Sequence, residues 1–109
     1  MQLTTYVLNL TGNPSTWLVR SGGGRVYRAF GQGDSADRYI MFFDRLTAPS
    51  ASAQPLGEGV VQASFAWEIS FEPGGLQFNT GIYIAFSSTP KIYTSVANAT
   101  ISTYVQAVP

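Results

Sequence analysis

Residues 64–72 alternate strictly between large apolar residues and polar or small ones, and this period of two limits the possible folds more than any other feature of the chain. Successive side chains of a β-strand point to opposite faces of a sheet, so the large residues share one face. We predict that they form one buried row: Phe65, Trp67, Ile69 and Phe71.

Two other segments also show strand patterns. Residues 81–87 repeat the alternation, with Ile82, Ile84 and Phe86 on one face and Tyr83 and Ala85 on the other. Residues 38–46 are apolar on both faces, with Tyr39, Met41 and Phe43 opposite Ile40, Phe42 and Leu46. This pattern predicts a strand covered on both sides. A short helix is the alternative, but the flanking Gly/Asp and Thr-Ala-Pro-Ser breaks favour a strand.

Further strand patterns follow at regular intervals between turn residues, and no segment has a helical period. We predict strands at residues 3–10, 16–20, 25–30 and 100–107, and weaker ones at 60–62 and 91–94. The chain is therefore predicted to be all-β, as a two-sheet antiparallel sandwich or jelly roll of about seven to nine short strands.

The turns and the chain length predict one domain. The 109 residues match the usual size of a single domain, and no long linker divides them. Residues 47–59, rich in small residues and proline, predict an exposed loop. The run Ser21-Gly22-Gly23-Gly24 predicts a tight hairpin between two strands.

The charge balance excludes some partners and favours others. Charged residues make up 11% of the chain, and six basic side chains balance six acidic ones, against about 25% charged residues in soluble domains. This predicts no nucleic-acid partner and favours association into a homo-oligomer. No apolar run is long enough for a membrane helix, and the start lacks a signal-peptide pattern, so we expect no membrane partner and synthesis in a cytoplasm.

The residues for catalysis are few, because the chain has no cysteine and no histidine. A Ser-Lys pair from Ser87, Ser88 and Lys91 is conceivable, but a strand ending at a proline turn explains these residues better. Asp34 and Asp37 lack the spacing of a calcium loop, so we expect them to bond nearby backbone amides. We predict no catalytic residue, no metal and no cofactor, and we interpret the arginines as cross-strand or intersubunit ion-pair partners.

Two stretches resemble a known protein family. The first is Arg38-Tyr39-Ile40-Met41-Phe42-Phe43-Asp44, followed by Ala48-Pro49 and Pro55-Leu56. The second is Gly75-Leu76-Gln77-Phe78-Asn79-Thr80-Gly81-Ile82-Tyr83-Ile84-Ala85, followed by Ser87-Ser88-Thr89-Pro90 and Tyr93-Thr94. With Gly23-Gly24-Arg25-Val26-Tyr27 they resemble small virion proteins of tailed bacteriophages across residues 22–94. The resemblance implies a β-sandwich on a phage particle.

For the role on that particle we predict capsid decoration, since a small, neutral, cysteine-free domain suits a protein added to a preformed shell. The expected partner is the major capsid protein, and the expected location is the virion. The alternative is a carbohydrate-binding or adhesin module of a phage tail, and a small enzyme is the least favoured. The candidate interface residues are four aromatic ones: Tyr6, Trp17, Tyr83 and Tyr104.

Overall fold

The computed structural model of the chain describes residues 3–8, 15–96 and 101–109. Within these ranges the chain forms nine β-strands and no helix, so the all-β prediction is confirmed. The strands are β1 Thr4–Leu8, β2 Thr16–Ser21, β3 Gly24–Gln32, β4 Arg38–Asp44, β5 Gly57–Val61, β6 Ala66–Ser70, β7 Leu76–Phe78, β8 Gly81–Ser87 and β9 Ser102–Val108.

The strands form two antiparallel sheets. Sheet A has the order β1-β9-β3-β6, and the short β7 also pairs with β3, while sheet B has the order β2-β8-β4-β5. The pairing is nested, because β1 pairs with β9, β2 with β8, β3 with β6 and β4 with β5. Such nested pairs, alternating between two facing sheets, form a jelly roll. The predicted two-sheet antiparallel sandwich is confirmed. Its strand order is that of a jelly roll, the second of the two architectures predicted.

The main core lies between the sheets. Its fully buried large residues come from both inner faces: Val26, Ile40, Phe42, Val61, Phe78, Ile82, Ile84 and Val105. From the predicted row, Trp67 is buried, and Ile69 and Phe71 pack against this core. Phe65 is 60% exposed, so its predicted burial was wrong. The chain turns at Ser64, where φ is 62°, and β6 begins only at Ala66, so Phe65 lies outside the alternation of the strand.

A second core covers the outer face of sheet B. Met41, Phe43, Ala85 and Tyr93 are buried there, with Ala53 and Tyr83 packed against them. Residues 45–56 and 88–96 provide the cover, and backbone bonds from Ser52 to Tyr93 and from Tyr93 to Ala53 join the two segments. β4 is therefore covered on both sides, as predicted. Burial, and then the nearby Tyr83, raises the pKa of the Tyr93 hydroxyl.

Other sequence predictions also require correction. Leu46 was predicted to share a strand face with Ile40, but β4 ends at Asp44 and Leu46 is exposed. Residues 91–94 form no strand, and the residue after them, Ser95, forms an isolated bridge to Ser87. The predicted loop at 47–59 ends earlier, because β5 begins at Gly57, and β7 was not predicted at all.

The glycine run after β2 crosses between the sheets and does not form the predicted hairpin. β2 belongs to sheet B and β3 to sheet A, so the two strands do not pair. Gly22 takes φ 95°, and its N–H donates to the Thr80 carbonyl. A Cβ at Gly24 would lie 2.7 Å from the Val108 carbonyl oxygen, so the crossing requires a residue without a side chain there.

Asp44, the last residue of β4, holds the turn between β7 and β8. Its carboxylate accepts backbone N–H bonds from Asn79 at 3.0 Å, Thr80 at 2.7 Å and Gly81 at 3.2 Å. Desolvation by burial acts to raise the Asp44 pKa, but these three bonds outweigh it, and the net pKa lies below the ordinary value. The charged carboxylate therefore stabilises the fold at this end of the sandwich.

The different positions of Trp67 and Phe65 can be tested by truncation. Trp67 is 6% exposed and packs in the main core, so Trp67→Ala should lower the free energy of unfolding by about 3–5 kcal/mol. Phe65→Ala on the exposed turn should change it by less than about 0.5 kcal/mol. Urea denaturation measures both free energies of unfolding. It is followed by far-ultraviolet circular dichroism, because that signal does not rely on the fluorescence of Trp67. Equal losses for the two variants would contradict this assignment of the core.

Replacing Asp44 should destabilise the protein in a pH-dependent way. Asp44→Asn should cost about 1 kcal/mol at neutral pH, a value reduced for partial solvent screening. A pKa lowered by folding gives stability that is present above the ordinary Asp value of about 4 and lost as the pH falls through the folded-state value. The difference in the free energy of unfolding between the variant and the wild type should therefore decrease at acidic pH. Urea titrations at several pH values test this, with the exposed Glu72→Gln as the matched control.

Candidate functional site

The four aromatic residues predicted to form an interface lie in three different places. Tyr6 and Trp17 are half-buried and pack against the main core. Tyr83 is half-buried in the second core. Tyr104 is 37% exposed and lies on the outer face of sheet A. The structure therefore does not bring the four together, and Tyr104 alone among them lies on a broad exposed sheet surface.

The surface around Tyr104 is here called the open face. Along β9, Thr103, Val105 and Ala107 point into the core, so Tyr104 and Gln106 point outward. Residues in register with these two on neighbouring strands share their side of the sheet. The open face thus consists of residues from four strands: Thr5, Val7, Arg28, Phe30, Glu68, Tyr104 and Gln106.

An apolar row crosses the open face perpendicular to the strands. Val7 lies opposite Tyr104 in the β1–β9 pair, and Tyr104 lies opposite Phe30 in the β9–β3 pair. The Phe30 and Tyr104 rings stack with centroids 5.2 Å apart and planes 15° apart. Val7 ends the row and is 57% exposed. The row is therefore a connected apolar strip that remains in contact with water.

A polar row runs beside the apolar one. Gln106 donates to the Thr5 hydroxyl at 3.5 Å and accepts a bond from Arg28 at 3.4 Å. Arg28 also forms an ion pair with Glu68 across the β3–β6 pair, which confirms the predicted cross-strand role for this arginine. The Arg28 guanidinium lies 4.6 Å from the centroid of the Phe30 ring. These contacts fix the side chains before any partner binds, which lowers the entropic cost of binding.

The two sheets differ in how their outer faces are covered. The chain's own segments 45–56 and 88–96 lie over the outer face of sheet B and bury Met41 and Phe43. On sheet A, the 71–75 segment meets β3 near its first residues: the Tyr27 carbonyl accepts the Phe71 N–H, and Arg25 donates to the Gly74 carbonyl at 3.1 Å. Among the described residues, no segment covers the row from Val7 to Phe30. Val7 and Tyr104 are accordingly exposed.

Sequence reasoning did not place Arg28 and Phe30 on the same face as Tyr104, because β3 does not keep a regular alternation. Val26 and Ala29 both point into the core although they are three residues apart, and the register with β9 shifts between Val26 and Arg28. A β-bulge of this kind adds one residue and reverses the side-chain pattern beyond it. Buried Tyr27 marks the extra residue, and only the pairing with β9 reveals it.

The polar residues considered for chemistry have structural partners. The buried Ser87 hydroxyl donates to the Thr89 carbonyl at 2.8 Å and accepts N–H bonds from Thr89 and Thr94. This geometry agrees with the turn predicted at the strand end. Asp34 accepts the Ala36 N–H at 3.2 Å, as expected for a local turn. Asp37 accepts a backbone N–H at 2.8 Å, but from Ala63, in the turn between β5 and β6.

The described ranges also contain no group of three or more acidic, cysteine or histidine side chains that could hold a metal ion. The same part of the chain contains no helix suited to crossing a bilayer. Comparisons with protein-family models, with curated proteins and with solved structures found no match for this chain.

Proposed function

We propose that this protein is a non-enzymatic structural component of a phage particle, a decoration protein that binds the assembled capsid through the open face. The observation that carries the proposal is the uncovered row of Val7, Tyr104 and Phe30, flanked by polar side chains that are already bonded to one another. The resemblance of residues 22–94 to small virion proteins of tailed phages supports the same role.

The open face suits a flat protein surface as its partner. Its two charged side chains, Arg28 and Glu68, neutralise each other, so the face neither repels nor strongly attracts a charged surface. Burying the apolar row contributes about 25 cal/mol per Å² of apolar area, which is a modest amount for one copy. Many such contacts repeated over a lattice bind together far more tightly than one does, because each bound neighbour raises the effective concentration. The face therefore fits a partner that offers many equivalent sites.

The fold is compatible with this role and with its main alternative. Jelly rolls occur in viral capsid domains and also in lectins, so the fold alone does not decide between a shell protein and a sugar-binding module. The positions of the aromatic rings favour the shell. Both Trp17 and Trp67 pack against the main core, and the Phe30 ring is engaged by Arg28 and Tyr104. A sugar that stacks on an aromatic face would find little ring surface available.

The test compares two exposed valines on different sheets. Val7 lies on the open face and is 57% exposed, while Val60 lies on β5 at the edge of sheet B and is 62% exposed. Val7→Asp places an unpaired carboxylate in the proposed interface, and it should lower retention on capsids by about tenfold or more. Val60→Asp should bind as wild type does. Capsids stripped of the protein are mixed with each variant in chelator, and the retained copies are counted after sedimentation.

Two results would overturn the proposal. One is the absence of wild-type retention on capsids. The other is an equal loss of retention for the Val7 and Val60 variants, which would exclude the open face. Binding of the wild type to a glycan or to a tail component, reduced by Tyr104→Ser, would favour the adhesin instead. Because both valines are exposed, the variants should unfold at denaturant concentrations close to that of the wild type, and this serves as the folding control.

A further inference from the structure

We propose that copies of this chain associate head to tail, with Phe65 of one copy inserted into a cleft beside Arg45 of the next. This contact uses none of the residues of the open face, so it does not depend on the proposed function. It commits to a second copy of this chain as the partner. The two halves of the contact are a projecting aromatic side chain with Asp37 beside it and a recess that carries Arg45 among apolar and polar side chains.

The projecting half is Phe65 on the turn formed by residues 62–65, here called the Phe65 turn. Four bonds hold the turn against the segment that follows β3. The Gly33 N–H donates to the Phe65 carbonyl at 2.9 Å, and the Ser64 N–H donates to the Asp34 carbonyl at 2.7 Å. The Gln32 amide donates to the Ser64 carbonyl at 2.9 Å, and Asp37 accepts the Ala63 N–H. A large apolar side chain that is 60% exposed on a fixed turn loses little freedom when it binds.

The receiving half is a recess beside the end of β4, here called the Arg45 cleft. It is an open recess in the surface with a volume of about 570 Å³, which is more space than one aromatic side chain needs. Four apolar side chains line it: Phe43, Ala53, Pro55 and Leu56. Leu56 is exposed in the isolated chain. Filling the cleft would remove this apolar surface from water.

Opposite charges lie beside the two halves. Asp37 is exposed next to the Phe65 turn, and its carboxylate has one bond, to the Ala63 N–H. Arg45 lines the cleft and donates from Nη2 to the Thr47 hydroxyl at 3.2 Å. Its Nε is buried, so a second copy can reach only the terminal amino groups of the guanidinium. The Asp44 carboxylate at the same end is bonded to three backbone N–H groups. Asp37 of one copy therefore pairs with the terminal amino groups of Arg45 in the next.

The two halves lie at opposite ends of the sandwich. Arg38, the first residue of β4, pairs with Val61 directly before the Phe65 turn, and Asp44, the last, borders the Arg45 cleft. The seven residues of β4 separate these ends by about 20 Å. A copy cannot fill its own cleft at that distance. The contact is heterologous, so it produces a ring if the rotation between copies closes and a linear row if it does not.

The test uses two variants that each lack one half of the contact. Phe65→Ser removes the projecting side chain and keeps the cleft, while Leu56→Asp blocks the cleft and repels Asp37. Each variant alone should stay monomeric in sedimentation velocity from micromolar to submillimolar concentration, where the wild type forms species larger than a dimer. Mixed together, the two should form a dimer and nothing larger, because only one working pair of surfaces remains. Ile92→Ser, at an exposed apolar residue outside both halves, should associate like the wild type.

A cross-linking experiment tests the same head-to-tail contact and leaves both the Phe65 turn and the Arg45 cleft intact. The chain has no cysteine, so Gln62→Cys beside the turn and Gln54→Cys at the cleft supply the only thiols. A short bismaleimide should yield cross-linked dimer in the mixture of these variants and almost none with either variant alone. A monomeric wild type, a mixture of Phe65→Ser and Leu56→Asp that stays monomeric, or dimer formed equally by each cysteine variant alone would overturn the proposal. Capsid retention of Phe65→Ser, measured separately, tests the proposed function independently.

Discussion

The burial of β4 and β8 on both faces is the constraint on which the rest of the structure depends. Their inner residues form the core shared with sheet A, and their outer residues Met41, Phe43 and Ala85 form a second apolar surface. That second surface must be covered, and residues 45–56 and 88–96 are held over it by Ser87 and by the bonds between Tyr93 and Ala53. Two long connections are thereby used to complete the interior of sheet B.

This use of the connections determines which surfaces remain for partners. With both connections placed over sheet B, the outer face of sheet A keeps its apolar row in contact with water. The same placement creates the Arg45 cleft, because residues 53–56 return along the end of β4 and leave a gap beside Arg45. The open face, the cleft and the exposed Phe65 are thus consequences of how one sheet is covered. They lie on separate parts of the surface, so the two proposed contacts do not compete for the same residues.

The sequence predicted those parts of the fold that depend on local alternation. The strict period around Trp67, the alternation from Ile82 to Phe86 and the two-sided burial of β4 all follow from which side chains point inward. Features set by pairing between distant strands could not be read in this way. Because of the bulge at Tyr27, the sequence pattern did not show that Arg28 and Phe30 face outward. The turn at Ser64 removed Phe65 from its predicted row. Of the predicted interface residues, Tyr104 lies on the open face, while burial of Tyr6, Trp17 and Tyr83 depends on which strands face them in space.

The nested pairing has a consequence for how the chain folds. Thr4 pairs with Ala107, about a hundred residues away in the sequence, and β1 contributes Val7 to the open face. Closing so large a loop is entropically costly, and domains dominated by such distant contacts fold slowly, in milliseconds to seconds. Among the described strands, β1 is an edge strand that pairs with β9 and with no other, as β2 pairs only with β8 and β5 only with β4. A molecule that binds the open face would contact Val7 and would therefore also stabilise the pairing of β1 with β9.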